Sequence, residues 1–386
     1  MADAAPPRIL FVSHNFPPKM GGIELVVLRV WESLTTSTHA EALVQAGLAE
    51  RPMPNVRRAK LKGLAGLGLA LMGHLPVLWW QRIRGRTLDA VVSGSAVTAL
   101  PTLWLARVAG AKAIVITHGL DTVYDRGLYQ ALYRFAMPRV DRVIAVSEAT
   151  RTEATHRGVM QERTAVLSPG CDAERFAQAH DTKQLRERWA LGGGPVLLSA
   201  GRLVHRKGLA PFIRDCLPLI VDAIPNVRLL IAGGNPEGAL VHTRDVMTDV
   251  QEAISESGLT EHVIITGRLS DQDMLGAFGV ADVFILPAVP TPGDMEGFGI
   301  VLLEAGAAGL PVVATKLGGI CDAVDDSRSG YLVEPGNYRH MADALIALMQ
   351  APATRQKIGD FARERVLHHF TWEKATKRFT DAIIST

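Results

Sequence analysis

Two glutamates, Glu296 and Glu304, stand eight positions apart in PTPGDMEGFGIVLLEAGAAGLPVVATKLGG, residues 290 to 319. Between them Phe298, Gly299 and Ile300 lead into a small-residue apolar helix. The pattern predicts a loop carrying one carboxylate, a helix N-terminus with unpaired backbone N–H groups, and a second carboxylate on the helix's first turns. Such a terminus holds phosphate, and glycines let a ligand approach the backbone closely. Carboxylates beside a bound anion repel it, so they suit neutral donors, above all sugar hydroxyls. A nucleotide-sugar contains both parts. A solvated loop charge and a surface helix residue would explain either glutamate alone. The pair inside this glycine frame, followed by Gly318 and Gly319, points to a site.

Arg202 and Lys207, five apart in GRLVHRKGL, follow an apolar run and fall at a strand's carboxyl end. Preplaced cations stabilise a departing nucleoside diphosphate without a metal. A solvated basic loop is the plainer alternative for either residue alone. Gly233, Gly234, Asn235 and Pro236 form a turn at another strand end, and Arg268-Leu269 follow a third. Gly21 and Gly22 open a helix after the strand ILFVSHNF, an arrangement that suits phosphate but that a turn needing positive φ explains equally well. His118 follows AIVIT, just ahead of Asp121. Asp271 and Asp273 match a DxD metal motif superficially, yet Ser270 before them makes them first-turn acids of a helix. No metal is assigned.

The elements that must position these residues alternate. Strand-like runs at ILFVSHNF, EALVQA, DAVVSGS, AKAIVITHG, RVIAVSE and TAVLSPG are separated mostly by helical patterns. After a charged helix from Lys183 to Trp189 and the glycine run of LGGGPVLL, the alternation resumes at VLLSAGRL, VRLLIAGG, HVIITGRL, DVFILPA, PVVATKLGG and SGYLVEPG. Strands alternating with helices predict parallel sheets covered on both faces, with ligands at the strands' carboxyl ends. The expectation is α/β: two facing Rossmann-like domains with a cleft between them.

With 386 residues the chain exceeds what one core usually serves. Lys+Arg of 41 against Asp+Glu of 39 leaves no basic excess for nucleic acid. Cys171, Cys216 and Cys321 lack metal-site or disulfide spacing, and MADAAPPRIL lacks a secretory n-region, so a cytoplasmic protein is expected. Residues 51 to 86 differ from the rest. Arg51, Arg57, Arg58, Lys60, Lys62, Arg82, Arg84 and Arg86 flank an apolar interior bearing Trp79 and Trp80, with no acidic residue. Leu64 to Trp80 falls short of a spanning helix, and Gly66, Gly68, Gly73, His74 and Pro76 interrupt it. A segment lying on an anionic bilayer surface and a crossover helix packed on the sheet are the two readings, and the lack of acidic residues favours the membrane.

The spacing of Glu296 and Glu304, then EAGAAGLPVVAT, then the glycine pair, resembles the donor-site signature of retaining glycosyltransferases of the glycogen-synthase, sucrose-synthase and phosphatidylinositol-mannosyltransferase type, family 4 of the GT-B fold. The resemblance implies an acceptor-binding domain over residues 1–180, a donor-binding domain over 181–370, and a last helix, 371–386, crossing back onto the first. It implies a metal-independent transfer from a nucleotide-sugar co-substrate to a glycan or lipid-linked acceptor. Arg202 and Lys207 would contact the diphosphate, Glu304 the ribose, and Glu296 the sugar. Backbone at Phe298, Gly299 and Ile300 would complete the anion site. Asn235, Arg268 and Leu269 would border the base; Gly21 and Gly22 would lie near the diphosphate, and Gly22, His118 and Asp121 near the acceptor, with His118 also near the donor sugar and catalytic alongside Arg202, Lys207 and Glu296. GDP-mannose is preferred over UDP-glucose and UDP-N-acetylhexosamines. The loop Ala288 to Met295 is richer in proline than the family's pattern. A sugar-nucleotide epimerase or hydrolase of the same architecture is the alternative. A dehydrogenase lacks its GxGxxG, and a non-catalytic binding module is the remaining rival.

Overall fold

The computed structural model describes residues 5–18, 21–47, 53–178, 182–235 and 245–386. Contacts divide the chain into two compact units: Met1–Gly170 with Trp372–Thr386, and Cys171–Thr371.

Unit 1 is a seven-stranded parallel sheet in the order β3-β2-β1-β4-β5-β6-β7. Its strands are β1 (Arg8–Ser13), β2 (His39–Val44), β3 (Val56–Arg58), β4 (Ala90–Ser93), β5 (Lys112–Thr117), β6 (Arg142–Ala145) and β7 (Thr164–Val166). Central strands such as AVVS are buried along their whole length, as sheets covered on both faces require. The connections β3→β4, β4→β5 and β5→β6 all run the same way across the sheet. Right-handed crossovers therefore place α2 (Gly63–Ile83), α3 (Ala99–Ala109) and the Gly127–Ala136 helix on one face. Contacts of α2 with α3, and of α3 with Gly127–Ala136, agree. On the other face α1 (Gly22–Ser37) packs against the C-terminal helix Trp372–Ile384.

α2 corrects the sequence expectation. It is one continuous helix of 21 residues through Gly66, Gly68, Gly73 and Pro76, long and apolar enough to cross a membrane by length and composition. Glycine and proline lower helix propensity, but packing overrides it. Leu67, Leu71 and Leu78 enter the core with Leu10, Val91 and Leu103, each contributing about 1.5–3 kcal/mol of apolar burial. Gly66 permits that packing, because a Cβ there would lie 2.0 Å from the Leu61 carbonyl. Arg51 lies outside the described residues.

Unit 2 is a six-stranded parallel sheet ordered β10-β9-β8-β11-β12-β13. These are β8 (Val196–Ala200), β9 (Arg228–Ala232), β10 (Val263–Gly267), β11 (Val283–Leu286), β12 (Val312–Thr315) and β13 (Gly330–Val333). The charged helix, Thr182–Arg188, packs on Asp271–Val280 and so belongs to this unit rather than to a linker. The division falls at Gly170, ahead of that helix. Ser270 caps Asp271–Val280, accepting from the Asp273 N–H, while Asp273 pairs with Arg188 and Asp271 with Arg175.

Candidate donor and acceptor sites

In unit 2, β8 ends at Ala200 and the chain turns through Gly201, whose φ of +105° favours glycine. A one-turn helix, His205–Lys207, then folds Lys207 back so that its Nζ donates to the Ala200 carbonyl at 2.6 Å. Gly201 is also needed for space, since a Cβ there would sit 2.6 Å from that Nζ. Burial pushes the Lys207 ammonium down to about 8; Arg206 and Arg202 add to this, while Glu296 and Glu304 oppose it. Arg202 is exposed at the strand's end.

The loop after β11 carries Glu296 and leads to the helix Ile300–Ala307. Gly299 begins that helix at φ +83° with no side-chain cap, so the first-turn N–H groups have no side chain of their own to satisfy them. Phe298 anchors the terminus by packing against Phe370, ring centroids 6.1 Å apart. Glu304 faces Lys207 electrostatically. Burial pushes its carboxyl up to about 7, Lys207 pulls it down, Asp172 raises it and Arg175 lowers it. The glycine pair has a local cause. A Cβ on Gly318 would lie 2.7 Å from the Glu296 carbonyl and one on Gly319 2.0 Å from the Gly297 carbonyl, and the Gly319 N–H donates to Glu296. The turn after β12 thus braces the backbone that carries Glu296.

At the neighbouring strand ends, Gly201 N–H donates to the Ala232 carbonyl, Leu203 N–H to Gly234, and Gly233 bridges Gly267. Arg268 is exposed there and Leu269 half-buried. Asn235 donates its amide to Asp245, the N-cap of Val246–Glu256, at 2.5 Å. Pro236 lies outside the described residues. The structure therefore gathers Arg202, Lys207, Glu296 and Glu304, with Asn235, Arg268 and Leu269 on the adjoining edge.

Sequence reasoning missed Arg206, which donates to both Asp294 and Glu296. Its signal was only its place beside Lys207. It also missed Cys171 and Asp172, which precede a short helical turn over Ala173–Phe176, and Arg175 within that turn. Burial raises the Cys171 thiol well above its usual range, and the charges of Glu304 and Asp172 add to it.

In unit 1, Gly21 precedes α1 and Gly22 opens it, and neither has a positive φ. The tight-turn explanation fails for them. Gly21 instead makes room for a side chain: a Cβ would lie 2.7 Å from Glu24 Oε2 and push aside a buried carboxylate that accepts from Asn15 Nδ2 at 2.7 Å. His118, buried at the end of β5, hydrogen-bonds the Gly94 carbonyl through Nε2 at 2.8 Å. A carbonyl only accepts, so Nε2 carries the proton and Nδ1 is the nitrogen not used in that bond. Asp121 is held by the fold itself. Its carboxylate is turned inward, accepting from Ala96 N at 2.8 Å, His118 N at 2.7 Å and Thr117 Oγ1 at 2.9 Å. Three internal donors occupy it, so it fixes the loop under His118. Beside it Ser95 Oγ lies 3.2 Å from His14 Nδ1, adding two polar groups to this strand edge.

Known proteins resemble this chain over most of its length. A model described as Glycosyltransferase Family 4 matches residues 20–175, and one described as Glycosyl transferases group 1 matches 194–351. The chain is 30% identical to the GDP-mannose-dependent alpha-(1-6)-phosphatidylinositol monomannoside mannosyltransferase of Mycolicibacterium smegmatis, over 97% of this chain and 98% of that protein. It is 29% identical to the GDP-mannose-dependent monoacylated alpha-(1-6)-phosphatidylinositol monomannoside mannosyltransferase of Corynebacterium glutamicum, over 98% of each. Anabaena HepE in complex with UDP superposes with a TM-score of 0.80 at 19% identity, covering 98% of this chain and 100% of that one. Two parallel α/β sheets of this order make the GT-B fold, and the chain belongs to glycosyltransferase family 4, the retaining hexosyltransferases that use nucleotide-sugars. Transfer thereby takes precedence over the epimerase, hydrolase and binding-module readings.

Proposed function

We propose that the protein transfers mannose from GDP-mannose to a lipid-linked acceptor, without a metal and with retention at the anomeric carbon. The observation that carries this reading is the buried Lys207 ammonium held among Arg202, Glu296 and Glu304 in unit 2. Arg202 and Lys207 bind the diphosphate and stabilise the charge that grows on it as the C1–O bond breaks. Glu304 accepts from the ribose hydroxyls and Glu296 from the sugar's, while the N–H groups at Phe298, Gly299 and Ile300 hold a phosphate oxygen. Asn235, Arg268 and Leu269 border the base. The acceptor oxygen bonds to C1 on the face the diphosphate leaves, and its proton passes to the leaving phosphate oxygen. His118 and the backbone at Gly21 and Gly22 line the acceptor side.

The donor and acceptor classes rest on the two relatives named above. A lipid-linked acceptor also suits the outer face of unit 1. Trp79 and Trp80 of α2, Trp104 of α3, and Leu128 and Phe135 of the Gly127–Ala136 helix are all exposed, Leu128 at 77%. None of these three helices contains an aspartate or glutamate, and Arg57, Arg58, Lys60, Lys62, Arg82, Arg84, Arg86, Arg107 and Arg134 lie on or beside them. Because α2 commits one side to the core, it rests along an anionic bilayer surface rather than spanning it.

Incubating the protein with GDP-mannose or UDP-glucose, with and without a membrane lipid extract and with EDTA, tests the proposal. GDP-mannose should support lipid mannosylation that survives chelation. An early proton NMR spectrum showing a β linkage, or activity lost to EDTA and restored by magnesium, would overturn it.

A further inference from the structure

Arg206 sits between the two cations read as diphosphate ligands, yet its guanidinium is already engaged. Nη1 donates to Asp294 Oδ2 at 3.2 Å and Nε to Glu296 Oε2 at 3.3 Å. All three side chains are largely removed from water, Arg206 and Glu296 at 15% exposed and Asp294 at 2%. Two of the guanidinium's five N–H donors are thus committed to carboxylates, which fixes its plane against the loop rather than toward a diphosphate. The backbone repeats the connection: the Val289 N–H donates to the Arg206 carbonyl at 2.8 Å. Gly208 passes so close beneath the Pro287 carbonyl that a Cβ would lie 2.0 Å from it.

We infer that Arg206 and Asp294 are positioning residues that set the orientation of Glu296 toward the donor's sugar. The inference rests on the reading of Glu296 as the sugar-hydroxyl ligand. A glutamate has three side-chain torsions, and hydroxyl recognition needs one rotamer held before the ligand arrives. Arg206 holds Oε2, which leaves Oε1 to accept from the sugar. Asp294 holds Arg206 from the other side. Two carboxylates and one guanidinium keep a net negative charge, so the clamp orients Glu296 without cancelling its power to accept hydrogen bonds. Pro290 and Pro292 restrict the loop's φ angles, so the proline-rich departure from the family pattern supplies stiffness on one side of this clamp.

The experiment compares Arg206→Ala, Arg206→Lys and Asp294→Asn with the wild type. It measures transfer kinetics, melting temperature, and calorimetric affinity for both GDP-mannose and GDP. Loss of positioning should lower kcat roughly ten- to a hundredfold in Arg206→Ala. GDP affinity should stay within about twofold, because GDP lacks the transferred mannose that Glu296 meets. Arg206→Lys keeps the charge without the fork and should fall between, and Asp294→Asn should add little to Arg206→Ala in the double variant. If Arg206→Ala fails to fold, Arg206→Lys and Asp294→Asn carry the same comparison. GDP affinity falling in parallel with GDP-mannose affinity would make Arg206 a diphosphate ligand and overturn the inference, as would unchanged turnover. A wild type that binds neither ligand removes the donor-site reading and the clamp with it. Full wild-type turnover with equal variants removes the clamp alone.

Discussion

The carboxyl edges of the two sheets share a topology and differ in charge. In unit 2 the ends of β8 and β11 present the exposed Arg202, the buried Lys207, and Glu296 and the helix bearing Glu304, both carboxylates half-buried. In unit 1 the ends of β1, β4 and β5 present His14, Ser95 and His118, while the acids Glu24 and Asp121 are folded inward onto Asn15, Thr117 and backbone N–H groups. One scaffold thus carries one edge lined by charged side chains and another that presents histidines and a serine. The loops make the difference, because the strands themselves are apolar in both units.

The sharpest way to break this contrast is to remove the buried cation. Lys207→Ala should lower kcat by roughly a hundredfold to a thousandfold, more than it raises KM, because the diphosphate is most charged while leaving. Equal turnover would take Lys207 out of the mechanism. The same residue predicts a pH dependence. Its free-enzyme pKa of about 8 means that it is charged below that pH, so GDP affinity should weaken as pH rises through 8. Calorimetry in buffers of different ionisation enthalpy should show proton uptake on binding there. Lys207→Ala should abolish that uptake, and a flat wild-type profile would contradict the assignment.

Glu304→Gln comes next. Losing charge-assisted bonds to the ribose worth roughly 1.5–3 kcal/mol should weaken GDP by about ten- to a hundredfold. Unchanged affinity would remove the ribose role. Gly319→Ala tests the scaffold rather than the chemistry. Its φ of −74° suits alanine, so the cost comes from the backbone it would meet, the Gly297 carbonyl and the Phe298 Cα, and about 1–3 kcal/mol of destabilisation should appear as a lower melting temperature. An undisturbed melting curve would mean that the bracing turn yields freely.

The smallest effects belong to unit 1's outer face. Trp104→Ala and Leu128→Asp lie outside residues 51 to 86, and each should weaken cosedimentation with anionic vesicles severalfold, on the order of 1 kcal/mol. Alanine at Arg57, Arg58, Lys60 and Lys62 should do the same through charge and should lose its effect at high salt. If only the basic cluster matters, the face shrinks to α2 and its flanks.

Much of this was legible beforehand because buried parallel strands are short apolar runs that few other elements imitate. β3 escaped notice because three residues with two arginines resemble a loop more than a strand. The extent of α2 was misjudged because its continuity comes from contacts with α3 and the core, while glycine and proline argue against it locally. At the site, Glu296, Glu304, Arg202 and Lys207 could be singled out from residue type and strand position. The commitments of Arg206 and Asp121 could not, because which atoms a guanidinium or a carboxylate grips is decided by loops distant in sequence.

The C-terminal helix has a consequence for synthesis. Trp372, Ala375, Phe379 and Ile383 form its buried stripe, and it reaches α1 and β4 of a unit otherwise finished at Gly170. On the ribosome, that unit emerges first yet is closed last, after all of Cys171–Thr371 has been made. At roughly 5–20 residues per second the delay is on the order of tens of seconds. Throughout it, the side of α1 that this helix covers stays open, as does the partner site of the Ser33–Thr380 hydroxyl pair, whereas unit 2, contiguous in sequence, can close as soon as it is released.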